Sequence, residues 1–206
     1  MMYRVLTVAR EYESGGDRIA GLVAKRLGWK LLDGALIEEV ANLAHVDPQL
    51  ARKFDERVDS WLHRVSRRAL WHGAFDAVAV LPETEVFDAE TEARLARGAI
   101  EHAWETGHCV IVGRGSQCIL QSRPDVFHVF LFAPFADRVA SVRRSADHCA
   151  DAPEWIRAVD AERARYVRMN FGQEWRNPHL YDLMIGSKLG EELVVSTILA
   201  GMGNPG

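Results

Sequence analysis

The sequence predicts an α/β protein of three layers, a parallel sheet of five strands with helices on both faces. Two observations carry that reading. Short apolar runs of buried-strand type alternate with stretches whose apolar residues recur at helical spacing, and such alternation pairs strands in parallel through right-handed crossovers. The chain also opens with YRVLTVAREYESGGDRIAGLVAKRL over residues 3–27, in the order strand, glycine turn, helix.

In that opening, Val5, Leu6, Val8 and Ala9 form the strand, Ser14, Gly15 and Gly16 break it, and Ile19, Leu22, Val23 and Leu27 mark one helix face. Gly28 is placed to cap the helix. Residues 29–32 read as a second strand ending at Asp33 and Gly34, and a helix follows over residues 35–44 until Asp47 and Pro48 interrupt it. Phe54, Val58, Trp61, Leu62, Val65 and Ala69 then form a helical stripe, so residues 49–87 read as a helical insertion, either an acceptor-binding lobe or a dimer contact.

Asp88 suits the N-cap of a helix closed by Gly107. Residues 109–112 are a buried strand stopped by Gly113, Arg114 and Gly115, and residues 126–132 are a strand stopped by Ala133 and Pro134. Helices are expected over residues 137–144 and 153–170, a last short strand at residues 183–185, and a closing helix through Leu193, Val194, Thr197 and Ile198. The tail over residues 201–206 is expected to be disordered.

Composition narrows the function. A net charge of −4 argues against a nucleic-acid polymer as partner, because such binding rests on many uncompensated cations. The longest apolar run, residues 126–136, contains His128 and Pro134 and is too short to span a membrane, so the reading is of a cytoplasmic protein. Cys109, Cys118 and Cys149 match no zinc spacing, and His148 with Cys149 lacks a ligating pattern.

Strand, glycine turn and helix aim backbone N–H groups and the positive end of a helix dipole at one point, which suits a phosphate. A Walker A loop reads GxxxxGK[ST]. With Gly15 as its second glycine, Arg10 stands at the first, Gly16 stands where the lysine would be, and Asp17 where Ser or Thr would be. Other polar groups follow strand ends: Asp33 after the second and Arg114 after the third, with Arg138, Arg143, Arg144, Asp160 and Arg163 flanking the later crossovers. Phosphoryl transfer asks for such a set, because it depends on positioning and neutralising spread negative charge.

These residues resemble a known family. LLDGALIEEVA from Leu31 resembles the LDTGAxYR segment of bacterial cytidylate kinases, Val112 to Gly115 their DGRD, FHVFLFAPFADRVASVRR their FLTAS…R…RR, and Asp160 to Arg163 their D-S-x-R. The closer resemblance is to the cytidylate kinase-like branch, with its S-R-E-x-G-S-G-G opening and V-I-V-G-R-G-A middle. It extends over nearly the whole chain except residues 49–87.

The resemblance implies a P-loop nucleoside monophosphate kinase fold and transfer of the ATP γ-phosphate, with Mg²⁺, to CMP or dCMP. It implies that Arg10, Ser14, Gly15, Gly16 and Asp17 serve the ATP phosphates. Asp33, Arg114, Asp160 and Arg163 would bind the acceptor, and Arg138, Arg143 and Arg144 would close over the transferring group. Because the lysine is missing, Arg18 is a candidate for its charge and Asp17 for the metal. Three classes stay open: an active nucleotide kinase, with a homodimer open as its assembly; a binding module of the same fold without turnover; and a kinase for another small acceptor.

Overall fold

VLTVAR forms β1 (Val5–Arg10), whose residues Val5 to Ala9 are all buried, so the opening apolar run is the middle of the sheet. In the computed structural model, the residues described are 3–34, 89–145 and 151–203. The chain divides into two compact units, one of Met1–Gly34 with Ile100–Gly206 and one of Ala35–Ala99. The expected helix at residues 35–44, the insertion at residues 49–87, and His148 and Cys149 lie outside the described residues.

Five parallel strands are ordered β2-β3-β1-β4-β5, with β2 at Lys30–Leu32, β3 at Cys109–Val112, β4 at Val126–Phe132 and β5 at Leu183–Gly186. Val5 to Val8 pair with Cys109 to Val112 on one side of β1, and Val5 to Arg10 pair with Val126 to Leu131 on the other. The chain first fills one side of β1 and then the other, and this reversal opens a crevice beyond the carboxyl end of β1.

Helices cover both faces. α1 (Gly16–Leu27) buries Ile19, Ala20, Val23 and Ala24 in a cluster with Leu6, Val8, Val110, Val129, Val194, Val195 and Ile198. Val194 and its neighbours come from the last helix. Each fully buried Val, Leu or Ile contributes about 1.5–3 kcal/mol. On the opposite face Ala9 and Phe130 meet Val167 and Trp175. The remaining α-helices among the described residues are α2 (Ala89–Thr106), the four-residue α3 (Ser116–Ile119), α4 (Phe135–Ser145), α5 (Ala152–Phe171) and α6 (Glu191–Gly201). Gly28, at φ 67°, closes α1 with its N–H on the Ala24 and Lys25 carbonyls.

Two boundaries differ from the sequence reading. Arg10 belongs to β1 rather than to the turn, because its backbone pairs in register with Leu131. The tail is ordered through its first residues: Gly201 ends α6, and Met202 is 2% exposed in the core beside Ile198 and Leu199. A side chain that fills core space holds the segment that its small, polar neighbours would leave loose.

Candidate functional site

The turn after β1 is wound tightly by its own backbone. Glu11 N–H donates to the Leu131 carbonyl at 2.9 Å, and the Ser14 N–H and hydroxyl both donate to the Glu11 carbonyl, at 3.3 and 2.8 Å. Glu13 at φ 56° and Gly15 at φ 76° take left-handed backbone, and α1 begins when Ile19 N–H reaches the Gly15 carbonyl at 3.0 Å. The N–H groups of the first turn have no helical acceptor and carry the positive end of the dipole.

Arg10 crosses this turn. A Cβ at Gly16 would stand 2.5 Å from Arg10 Cβ and 2.7 Å from its Cγ, and one at Gly113 would stand 2.6 Å from Arg10 Nη1. The Arg10 stem therefore requires glycine at position 16, while glycine at 113 suits its own φ of 79° and leaves the space that Nη1 occupies. Gly113 is brought alongside because its N–H donates to the Val8 carbonyl at 3.0 Å. The Arg10 Nε and Nη2 donate to Asp17 Oδ1 at 3.1 and 2.8 Å. Desolvation pushes the Asp17 carboxyl up, but the charge and hydrogen bond of Arg10 and the charge of Arg163 outweigh it and hold the group below the ordinary carboxylate range.

Two further guanidinium groups converge on Arg10. Arg163 donates from Nη1 to the Arg10 carbonyl at 2.8 Å and lies 5.7 Å from the Tyr12 ring centroid. Burial and then the Arg10 charge push its pKa down to about 10, against the opposing pull of Asp17, Asp160 and Tyr12. Arg114, at φ 51°, lies 5.9 Å from the Tyr166 ring centroid and beside Gly34. Burial lowers its pKa and the Arg10 charge adds to that, while Tyr166 opposes it. Crowded cations repel one another, and an incoming polyanion relieves that repulsion.

Beneath the turn lies an acidic anchor. Asp160 accepts the Tyr12 N–H at 2.8 Å and pairs with Arg138 Nη1 at 2.7 Å, and Arg138 also donates to the Tyr12 carbonyl at 3.2 Å. Glu11 pairs with Arg176 Nη2 at 2.7 Å and with Arg138 Nε at 3.5 Å. Asp160 and Arg138 thus fasten α5 and α4 to the turn, and their side chains are 10% and 6% exposed. Sequence reasoning missed Glu11 and Arg176. Glu11 follows the strand directly, which is a usable signal, whereas Arg176 sits in an irregular segment with none.

The other candidates are placed as follows. Arg18 pairs with Glu191 of α6. Glu13 accepts a hydrogen bond from Ser141 of α4 at 2.8 Å. Arg143 and Arg144 are exposed in the last turn of α4. Asp33 follows β2 directly, next to Gly34 and hence close to Arg114. The turn therefore brings together Arg10, Ser14, Gly15, Gly16, Asp17, Arg114, Arg138, Asp160 and Arg163, while Arg18 is drawn toward α6.

Among the described residues no group of three or more His, Cys, Asp or Glu could hold a metal ion. Asp17 still fits Mg²⁺ in the mode where one carboxylate shares the ion with phosphates, because its side chain is 66% exposed at the start of α1. No described helix is long and apolar enough to cross a membrane.

The fold recurs in solved structures. An uncharacterized protein from Eubacterium ventriosum ATCC 27560 is 17% identical at a TM-score of 0.68, covering 97% of this chain and 98% of that one. A gluconokinase from Sinorhizobium meliloti 1021 is 12% identical at 0.55, covering 98% and 94%. A shikimate kinase from Bacteroides thetaiotaomicron is 12% identical at 0.52, covering 97% and 98%. At such identities the likeness establishes a P-loop kinase fold and no more. No curated protein matches the sequence. The cytidylate kinase-like family model matches residues 5–189, across the turn, the arginine cluster and the acidic anchor, and the chain belongs to that family.

Proposed function

We propose that the protein transfers the γ-phosphoryl group of ATP to a small acceptor, with the cytidine monophosphates CMP and dCMP as the first candidates. The observation that carries the reading is the convergence of Arg10, Arg114 and Arg163 at the carboxyl ends of β1 and β3, above a turn that presents helix N–H groups. A loose phosphoryl transition state spreads charge over peripheral oxygens, and preorganised guanidinium groups stabilise that charge without rearranging.

In this reading the turn over residues 13–16 and Arg10 hold the donor phosphates, and Arg114 with Arg163 holds the acceptor beside Asp33. Asp160 and Arg138 keep the turn in shape from below, and Arg143 and Arg144, in the last turn of α4, would close over the reacting groups. Asp17 would hold Mg²⁺, which neutralises phosphate charge when bound. Membership of a cytidylate kinase-like family supports the cytidine acceptor, and the gluconokinase and shikimate kinase of the same fold support testing hydroxyl acceptors beside it.

A second reading, nucleotide binding without turnover, is favoured by the absence of a lysine at position 16 and by the Arg10 pairing with Asp17. One experiment separates the two. Labelled ATP and Mg²⁺ are incubated with CMP, dCMP, UMP, AMP, gluconate and shikimate in turn. Formation of a phosphorylated product supports the kinase and identifies its acceptor. Saturable ATP binding with no product on any acceptor supports the second reading, and failure to bind ATP overturns both.

A further inference from the structure

We infer that Arg10 and Gly16 have exchanged the parts that a glycine and a lysine play in a Walker loop, so that the phosphate-binding cation reaches the turn from the strand instead of from the helix. The inference rests on the proposed ATP site. Its steric half does not, because a Cβ at position 16 would overlap Arg10 Cβ and Cγ, atoms too near the backbone to swing aside. Any lysine at position 16 would need the volume that the Arg10 stem fills.

Three observations favour a ligand-directed role over a plain surface ion pair. The Arg10 side chain is only 15% exposed although its partner Asp17 is 66% exposed, so the guanidinium is sunk into the turn and the carboxylate lies outside it. Its Nη1 lies over Gly113, the residue that ends β3, where a side chain of any size would displace it. Arg163 fixes the Arg10 carbonyl and crowds its charge, and the Arg10 charge reaches Arg114 as well, so the three cations share one locality. Arg18, the other cation near the turn in sequence, is committed to Glu191.

Arginine at this place differs from lysine in chemistry. It cannot act as a proton donor, and its planar fork can bridge two phosphate oxygens where an ammonium makes a point contact. Asp17 holds Nε and Nη2, and a polyphosphate competes with that carboxylate for the fork.

The test compares the wild type with Arg10→Met, Arg10→Gly, Gly16→Lys and the double variant Arg10→Gly/Gly16→Lys, with ATP and inorganic tripolyphosphate as probes. Binding is read by calorimetry and folding by circular dichroism. Arg10→Met keeps the stem over Gly16 and removes the charge, so it is expected to fold while binding both probes at least about tenfold more weakly. Gly16→Lys alone is expected to melt lower, and the double variant to bind more tightly than Arg10→Gly. Arg10→Met binding both probes as the wild type does, or a double variant no better than Arg10→Gly, overturns the exchange while leaving the ATP site standing. A wild type that binds neither probe overturns the site itself and the exchange with it.

Discussion

The Arg163 guanidinium donates to the main-chain carbonyl of Arg10 across 2.8 Å, so a residue of α5 fixes the strand residue whose side chain crosses the glycine turn. Removing that donor should loosen the turn as well as subtract charge. Arg163→Gln is expected to lose about 1–2 kcal/mol of stability and to raise the KM for acceptor more than for ATP. Urea unfolding with steady-state kinetics checks this, and a variant with wild-type melting and both KM values unchanged refutes it.

Arg138 and Asp160 form a pair with little solvent around it, 6% and 10% exposed. Breaking such a pair leaves a charge without its counter-charge, while Glu11 still offers partial compensation to Arg138. Asp160→Asn is expected to cost about 2–3 kcal/mol, and the double variant Arg138→Met/Asp160→Leu less than the sum of its singles. Strict additivity in a double-mutant cycle would show that the pair is not coupled.

His128 is buried in β4 with Nδ1 2.6 Å from the Thr7 hydroxyl, and burial lowers its pKa from 6.5 against the opposing charge of Asp182 and the Leu120 backbone. The folded state therefore takes up a proton less readily than the unfolded chain. This contribution to stability is complete above pH 6.5 and falls as pH drops below it, until the folded pKa is reached. The melting temperature of His128→Gln should depend less steeply on pH than that of the wild type between pH 7.5 and about 5.5. Equal slopes would refute the assignment.

Burial pushes the Cys109 thiol up to about 12 and the Cys118 thiol up to about 11. Both are protonated at neutral pH and poor nucleophiles. In a Cys149→Ser background, a thiol reagent at pH 8 is expected to label neither in the folded protein and both in urea. Rapid labelling of the folded protein would contradict their placement.

Asp17 is ionised well into the acid range, since Arg10 and Arg163 outweigh its desolvation. Asp17→Asn is expected to raise the Mg²⁺ concentration needed for half-maximal ATP-dependent turnover by about tenfold. An unchanged Mg²⁺ titration removes Asp17 from the metal site.

Much of the fold was legible because β3 is an unbroken apolar run, β1 and β4 are mostly apolar, and α1, α2 and α5 close on Gly28, Gly107 and Gly172. The turn over residues 11–16 was legible for the same reason. The Arg10 and Gly16 relation was visible as a pair of departures from a motif, but not as a contact, since only the fold brings the arginine stem across the helix start. Asp160 was singled out as a substrate reader, and its bonds to Tyr12 and Arg138 depend on partners 148 and 22 residues away. Such pairings leave no periodic trace. Arg18 attracted attention by its closeness in sequence to the turn, yet helical geometry turns it toward α6.

The ion pairs Arg18 to Glu191 and Arg26 to Glu192, with Ile19 and Val23 packed among Val194 and Ile198, fasten α1 to α6. The turn at residues 11–16 therefore leads into a helix whose brace lies far along the chain, at residues 191–198. A chain cut before residue 191 would keep the whole turn in its sequence and lose the helix against which Ile19 and Val23 pack.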